Sequence, residues 1–393
     1  MINRWTKIAG LMILSIAVLW LACPPGGSEK ESSDGHFLSP SPSTSPPDVP
    51  DPIQESTELS GEPFVYEKQV VDTPDGPVTM HFLELDLKSG QVGVKPVTSH
   101  RTLFGYEYLS VMAQNTNALA AVNGGFSHPN GLPGGMLYVN KTLKTPASGR
   151  FPVLFLFDNR AVLADASQRI WLESGGQTLE PVFYNYYSTY GGIYVFTPDY
   201  GSSDRIEKKH LCAVVREGRI SELIDSADPV SIPSDGFLVS AVGAEAEKRL
   251  RNFVSTGREV AIQTSLNTSP YLEGEYVSAY ECGSWLVRDG ANVCPDADAW
   301  VGTLLTRAPR TAVGIKSDGK LVFVVVDGRS REISIGATGP ELAELLIERD
   351  VVQAAMLDGG ASSEMIIDGT IVNYPSAGRE RLIASCFVVF RLK

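Results

Sequence analysis

Histidine, cysteine and tryptophan are each scarce in this chain of 393 residues, with five of each. Only His128 stands beside a motif, and its neighbours Pro129, Asn130 and Gly131 read as an exposed loop, so no Ser-His-Asp relay can be assembled from the pattern. Basic residues are also few: 33 Lys and Arg face 46 Asp and Glu, a net charge of −13. Without a basic stripe a nucleic-acid partner is excluded. An apolar run able to span a bilayer is missing at the N-terminus too. Ile8 to Leu21 holds 14 residues, short of the roughly 20 that a membrane helix needs. With Arg4 and Lys7 before it, the stretch reads as a secretion signal, residues 1–22.

The segment after the signal is rich in turn formers. Pro24 to Ser60 contains eight Pro and nine Ser among 37 residues, a composition that cannot bury enough surface to fold. Residues 23–60 are therefore expected to be a disordered tether, reaching on the order of 100 Å when extended. Leu21-Ala22-Cys23 resembles a bacterial lipobox, which implies lipidation of Cys23 and a membrane partner held through an N-terminal lipid. The protein would then face the periplasm or exterior of a bacterial cell envelope. Beyond Cys23, four cysteines remain: Cys212, Cys282, Cys294 and Cys386. In an oxidising compartment Cys282 with Cys294 is the easiest pairing to imagine, and a reduced, buried set is the alternative.

Residues 61–393 are expected to form one large domain or two closely packed lobes. Most of it reads as short strands: Val78 to Leu87, Leu211 to Arg216, Arg219 to Leu223 and Leu321 to Val326. Helices are few, the clearest being Gly339 to Arg349 behind a Thr338/Glu341 capping box, with a second over Glu245 to Asn252. The fold class is thus α+β, with strand-rich mixed sheets, a few flanking helices and one βαβ crossover near the C-terminus. That crossover joins Leu321–Val326 to Ala354–Leu357 and predicts parallel strands, so that Asp327 and Asp358 emerge at one sheet edge, where ligands bind. Asp368-Gly369 marks a hairpin. Leu357-Asp358-Gly359-Gly360-Ala361-Ser362-Ser363-Glu364-Met365 has more glycines and serines than a turn requires, and Asn123-Gly124-Gly125-Phe126 repeats its grammar.

Taken with Ile193 to Gly201, Ser234 to Val239, Leu286 to Gly290, Pro309 to Ile315 and Val326 to Arg329, these segments resemble, in order, the phosphodiester glycosidase family. The resemblance implies a glycosidase-type hydrolase that cleaves a glycosyl-1-phosphodiester, such as a GlcNAc-1-phospho linkage in a surface glycan, between anomeric carbon and phosphate oxygen. On that basis Asp358 is expected to attack the anomeric carbon or activate water, seconded by Asp327, with Arg310 and Arg329 clamping the phosphate. Asn123, Ser362 and Ser363 would hold hydroxyls or phosphate oxygens, and the N–H groups of Gly124, Gly125, Gly359 and Gly360 would form anion-binding concavities. Two departures from the family pattern bear on the substrate: Trp285 is expected to reshape the pocket, and Glu364 adds a carboxylate that would repel a phosphate; Ala361 stands in place of the family's third glycine. No cofactor is specified, but Asp327, Asp358 and Glu364 could hold a divalent cation. Two alternatives stand beside this reading. One is a non-catalytic polysaccharide-binding lipoprotein using Trp285, Tyr184, Tyr186, Tyr187 and Tyr190 as stacking platforms, and the other a phosphodiesterase that attacks phosphorus.

Overall fold

A computed structural model of the chain describes residues 53–55, 63–186 and 190–392. The signal, Cys23, nearly all of the tether and Tyr187 lie outside the described residues. From Asp51 onward the chain forms one compact unit, rich in strands and carrying three α-helices among the described residues. No helix there is long and apolar enough to cross a membrane.

Six strands and one helix position the site. They are β1 (Ala120–Asn123), β2 (Arg310–Lys316), β3 (Leu321–Val326), α1 (Gly339–Ile347), β4 (Val351–Met356), β5 (Met365–Ile367) and β6 (Ser385–Arg391). β3, β2 and β4 lie side by side in an eight-stranded sheet, whereas β5, β1 and β6 are neighbours in a five-stranded one. Two further sheets, of seven and five strands, carry the middle of the chain.

The run Leu321-Val-Phe-Val-Val-Val326 lacks polar alternation because both of its faces are covered. Leu321, Phe323 and Val325 enter the core shared with the five-stranded sheet, where the Phe323 and Phe387 rings lie 5.1 Å apart. Val322, Val324 and Val326 enter a second core with Leu342, Ala343 and Leu346 of α1. Each of these fully buried aliphatic side chains contributes about 1.5–3 kcal/mol. α1 begins where its capping box requires: Thr338 accepts from the Glu341 backbone N–H, and the Glu341 carboxylate accepts from that of Thr338.

β3 and β4 run in the same direction, as their helical crossover demands, but they are not neighbours. β2 lies between them and is antiparallel to both. The N-terminal end of β2 therefore places Arg310 between Asp327 and Asp358 at one sheet edge. The hairpin forms at Asp368-Gly369, with both residues at positive φ (46° and 72°) and Ile367 opposite Thr370. The expected Cys282–Cys294 pairing is corrected: Cys212, Cys282, Cys294 and Cys386 are all free thiols.

Candidate active site

A cleft of about 300 Å³ opens where the end of β1, the segment after β4 and the loop before β6 meet. Asp358, Ser362, Ser385, Phe126, Trp300 and Arg381 are among the residues that line it. Asp358 is half-buried. Burial raises its pKa, while a hydrogen bond from Ser362, the charge of Arg381 and the Gly359 N–H pull it back. A carboxylate raised by burial and steadied by a cation is the electrostatic pattern of a proton-accepting group in a cleft.

The backbone around Asp358 is held by Asn123. Its Nδ2 donates to the Asp358 carbonyl at 2.6 Å and to that of Gly124 at 3.0 Å. Its Oδ1 accepts from Thr311 Oγ1 at 2.9 Å and from the Glu364 N–H at 3.1 Å. All hydrogen-bonding capacity of this buried amide is spent on the protein, so the expectation that it binds substrate is corrected to a positioning role.

The anticipated anion-binding concavities are corrected in the same way. The Gly124 N–H donates to the Ser385 carbonyl, Gly125 to Tyr280 Oη and Gly360 to the Pro309 carbonyl. The Gly359 N–H serves the Asp358 carboxylate itself. These glycines allow close approach instead: a Cβ on Gly124 would lie 2.4 Å from Ser385 Oγ, and one on Gly125 would lie 2.8 Å from the Tyr280 ring.

Asp327 shares the sheet edge with Asp358 but not the cleft. Its Oδ2 accepts from His81 Nε2 at 3.0 Å, and its Oδ1 accepts from Asn373 Nδ2 and the Tyr374 N–H. Tyr66 Oη lies 2.9 Å from His81 Nδ1. Burial, then the charge of Asp327, pushes the Tyr66 phenol up to about 12. The Asp327 carboxylate is thus a fully satisfied buried hub, a correction to its role as second catalytic carboxylate.

Arg310 is likewise no phosphate clamp. It is 4% exposed, and its Nε and Nη2 donate to the carbonyls of Ala337, Leu304 and Thr306. Arg329 is exposed, with φ +64°, its Nη1 3.3 Å from Ser376 Oγ and its Nη2 over Gly360. Ser362 and Ser363 are both buried; Ser362 faces Asp358, whereas Ser363 bonds Thr311 at 3.1 Å.

The two departures from the family pattern have separate fates. Trp285 lies away from the cleft, its Nε1 donating to Asp165 at 2.8 Å with Arg288 over its ring. Glu364 is 2% exposed. Burial first, then the neighbouring Glu380, pushes it up to about 9. For Glu380 burial acts upward too, but hydrogen bonds from Glu364 and from Ser110 outweigh it and leave the group below its ordinary range. Glu364 is therefore the protonated member of a carboxyl pair and presents no charge to an anionic ligand.

Asp327, Asp358 and Glu364 do not converge, which corrects the candidate cation site. A group that could hold a metal lies elsewhere: Asp204, His210 and Cys212, all buried. There Asp204 Oδ2 already accepts from His210 Nε2 at 3.0 Å and Ser240 Oγ at 2.8 Å.

Sequence reasoning missed Arg381, which lies in coil, and Trp300, which sits in the turn between the two short paired strands Ala297–Asp298 and Gly302–Thr303. The Arg379-Glu380-Arg381 alternation in an acidic chain was the available signal for the first. Trp300 is seated by Phe126, whose ring is 5.7 Å away and 3° from parallel, and a Cβ on Gly134 would lie 2.3 Å from its indole.

Comparison with known proteins bears on this arrangement. A phosphodiester glycosidase family model matches residues 211–390. N-acetylglucosamine-1-phosphodiester alpha-N-acetylglucosaminidase of Bos taurus is 27% identical over 199 residues, covering 42% of this chain and 36% of that protein. The Homo sapiens enzyme is 26% identical over 196 residues, 42% and 37% of the two chains. An SPbeta prophage-derived protein of Bacillus subtilis is 34% identical over 112 residues, 28% of this chain and 17% of that one. The chain thus spans little more than a third of the mammalian relatives and less of the bacterial one. In fold it is similar to a hypothetical protein from Synechocystis, with TM-score 0.74, 20% identity and coverage of 88% and 64%. It is also similar to a Burkholderia pseudomallei protein described as exported, with TM-score 0.66, 22% identity and coverage of 80% and 74%. This chain accordingly carries a match to the phosphodiester glycosidase domain and is a distant homologue of N-acetylglucosamine-1-phosphodiester alpha-N-acetylglucosaminidase.

Proposed function

We propose that the protein is a hydrolase that cleaves the sugar-phosphate bond of a glycosyl-1-phosphodiester, with GlcNAc-1-phosphodiester linkages of surface glycans as the substrate class. The observation that carries this reading is Asp358, raised by burial and facing Arg381 and Ser362 in one cleft. Arg381 binds the anionic diester, and Arg329, whose Nη2 lies against Gly360, is a second cation beside the Asp358 segment. Asp358 takes a proton from water as its oxygen bonds to the anomeric carbon. The bond from that carbon to the phosphate oxygen breaks, and the electron pair leaves with the phosphate. Because a phosphomonoester is a weakly basic leaving group, one carboxylate is enough to drive the step.

Hydrolysis of methyl-phospho-GlcNAc in oxygen-18 water tests the reading. Label in the released sugar supports it, label in the phosphate transfers the chemistry to phosphorus, and no turnover of any diester leaves a glycan-binding protein. We further propose, from Arg4, Lys7, the apolar run and Leu21-Ala22-Cys23, that Cys23 is lipidated and holds the domain at a bacterial envelope. Radiolabelled palmitate should enter the parent and not Cys23→Ser; equal incorporation in both would refute the anchor.

A further inference from the structure

Beside the Asp358 cleft lies a larger groove of about 620 Å³, lined by Tyr184, Tyr186, Phe151, Arg150, Gln168 and Trp300. Trp300 also lines the cleft, so the two spaces meet at one indole. An unbroken aromatic path joins them. Phe183 stacks on Tyr186 at 6.1 Å, Tyr186 meets His128 edge-on at 5.6 Å, His128 meets Trp300 edge-on at 5.6 Å, and Trp300 stacks on Phe126.

Gln168 and Arg150 are among the polar residues that line this groove. Gln168 uses its Oε1 on the Ala147 N–H at 3.3 Å, which leaves its Nε2 hydrogens for a ligand. Arg150 is exposed, and among the described residues no carboxylate forms an ion pair with its guanidinium. Its charge acts on the buried Glu281 carboxylate, which the Ser148 and Met136 N–H groups already bond, and in a chain with a net charge of −13 its exposed guanidinium at the rim of an aromatic groove can fork to an anion. Aromatic faces cover the C–H faces of sugar rings, an amide answers their hydroxyls and a guanidinium answers a phosphate.

We infer that this groove is a second glycan subsite, which holds the neighbouring repeat of the same phosphodiester-linked polymer whose scissile bond lies against Asp358. The assignment rests on the hydrolase reading for the orientation of the polymer, but not for its own test. Continuity through Trp300 commits the occupant to a chain that runs from one space into the other, and Arg150 commits it to one that carries an anionic group.

Calorimetric titration of the full-length protein carrying Asp358→Asn, which holds the probes without cleaving them, with a one-repeat probe, methyl-phospho-GlcNAc, and with its synthetic two-repeat homologue decides the matter. The two-repeat probe should bind at least about tenfold more tightly, since a hydrogen bond to a charged group is worth about 1.5–3 kcal/mol. Arg150→Ala and Tyr186→Ala should each remove most of that gain while leaving the one-repeat probe within about twofold, and Arg150→Lys should restore part of it. Equal affinity for both probes, or a gain that survives both substitutions, would overturn the subsite. Failure of the parent to turn over either probe would sink the hydrolase reading alone, because the affinity pattern is read without catalysis.

Discussion

Asn123 Nδ2 donates to the carbonyl oxygen of Asp358 at 2.6 Å, across 235 positions of sequence. Two sheets are joined at that bond, because Asn123 ends β1 and Asp358 follows β4. Asn123→Ala takes their side-chain partner from the Asp358 carbonyl and the Glu364 N–H and leaves Thr311 Oγ1 with Ser363 alone. The expected cost is about 2–3 kcal/mol for buried groups left unpaired, seen as a lower midpoint in urea. Turnover should fall further than stability requires, since the Asp358 segment loses its hold; unchanged kcat at full folding would remove the positioning role.

Asp358 and Arg381 set the pH dependence of the cleft. Arg381 favours the charged carboxylate, so Arg381→Ala should raise the Asp358 pKa and move the acid limb of kcat/KM to higher pH. KM for an anionic diester should rise roughly 10- to 100-fold with the loss of a charge-assisted hydrogen bond. An acid limb that stays in place would separate Arg381 from Asp358.

Asp358→Asn should abolish measurable hydrolysis with little change in stability, because the half-buried amide keeps a partner in Ser362. Asp327→Asn should do the reverse. One of its carboxylate oxygens must become an NH₂ facing His81, Asn373 or the Tyr374 N–H, at about 1.5–3 kcal/mol, while the chemistry is retained in whatever fraction folds. Thermal melts beside single-turnover rates distinguish the two; equal loss of rate in both variants would return Asp327 to the catalytic group.

The Glu364–Glu380 pair predicts a loss of stability in alkali. Glu364 binds its proton up to about pH 9 when folded but only to about 4.5 when unfolded. Between those values the native state holds more protons, so its contribution falls as pH rises. Glu380 is shifted the opposite way and gains stability above its own unfolded range, which offsets part of the slope. Glu364→Gln keeps a neutral donor toward Glu380, so the variant should match the parent near pH 4, where Glu364 is protonated in both states, and melt increasingly higher as pH rises to about 9. Parallel pH profiles for the two proteins would show that no proton is shared there.

Much of this molecule could be read from local pattern. The all-apolar run Leu321–Val326, the Thr338/Glu341 box and the Asp368-Gly369 turn each specify their element through backbone sterics and one or two nearby hydrogen bonds. The parallel sense of β3 and β4 came from the helix between them, and Asp358 was singled out by its place at the end of an apolar run with two glycines after it. Register between distant segments was not legible. Insertion of β2 between β3 and β4 put Arg310 where Ala337, Leu304 and Thr306 needed a donor, and His81 with Asn373 consumed Asp327. Whether a polar side chain faces a ligand or another part of the protein depends on which groups the tertiary fold leaves unpaired beside it, and those groups lie anywhere from 4 to 246 positions away in sequence. For the same reason Arg381 and Trp300, featureless in sequence, came to line the cleft: the chain supplies the chemistry residue by residue, but only packing decides which of it remains unspent.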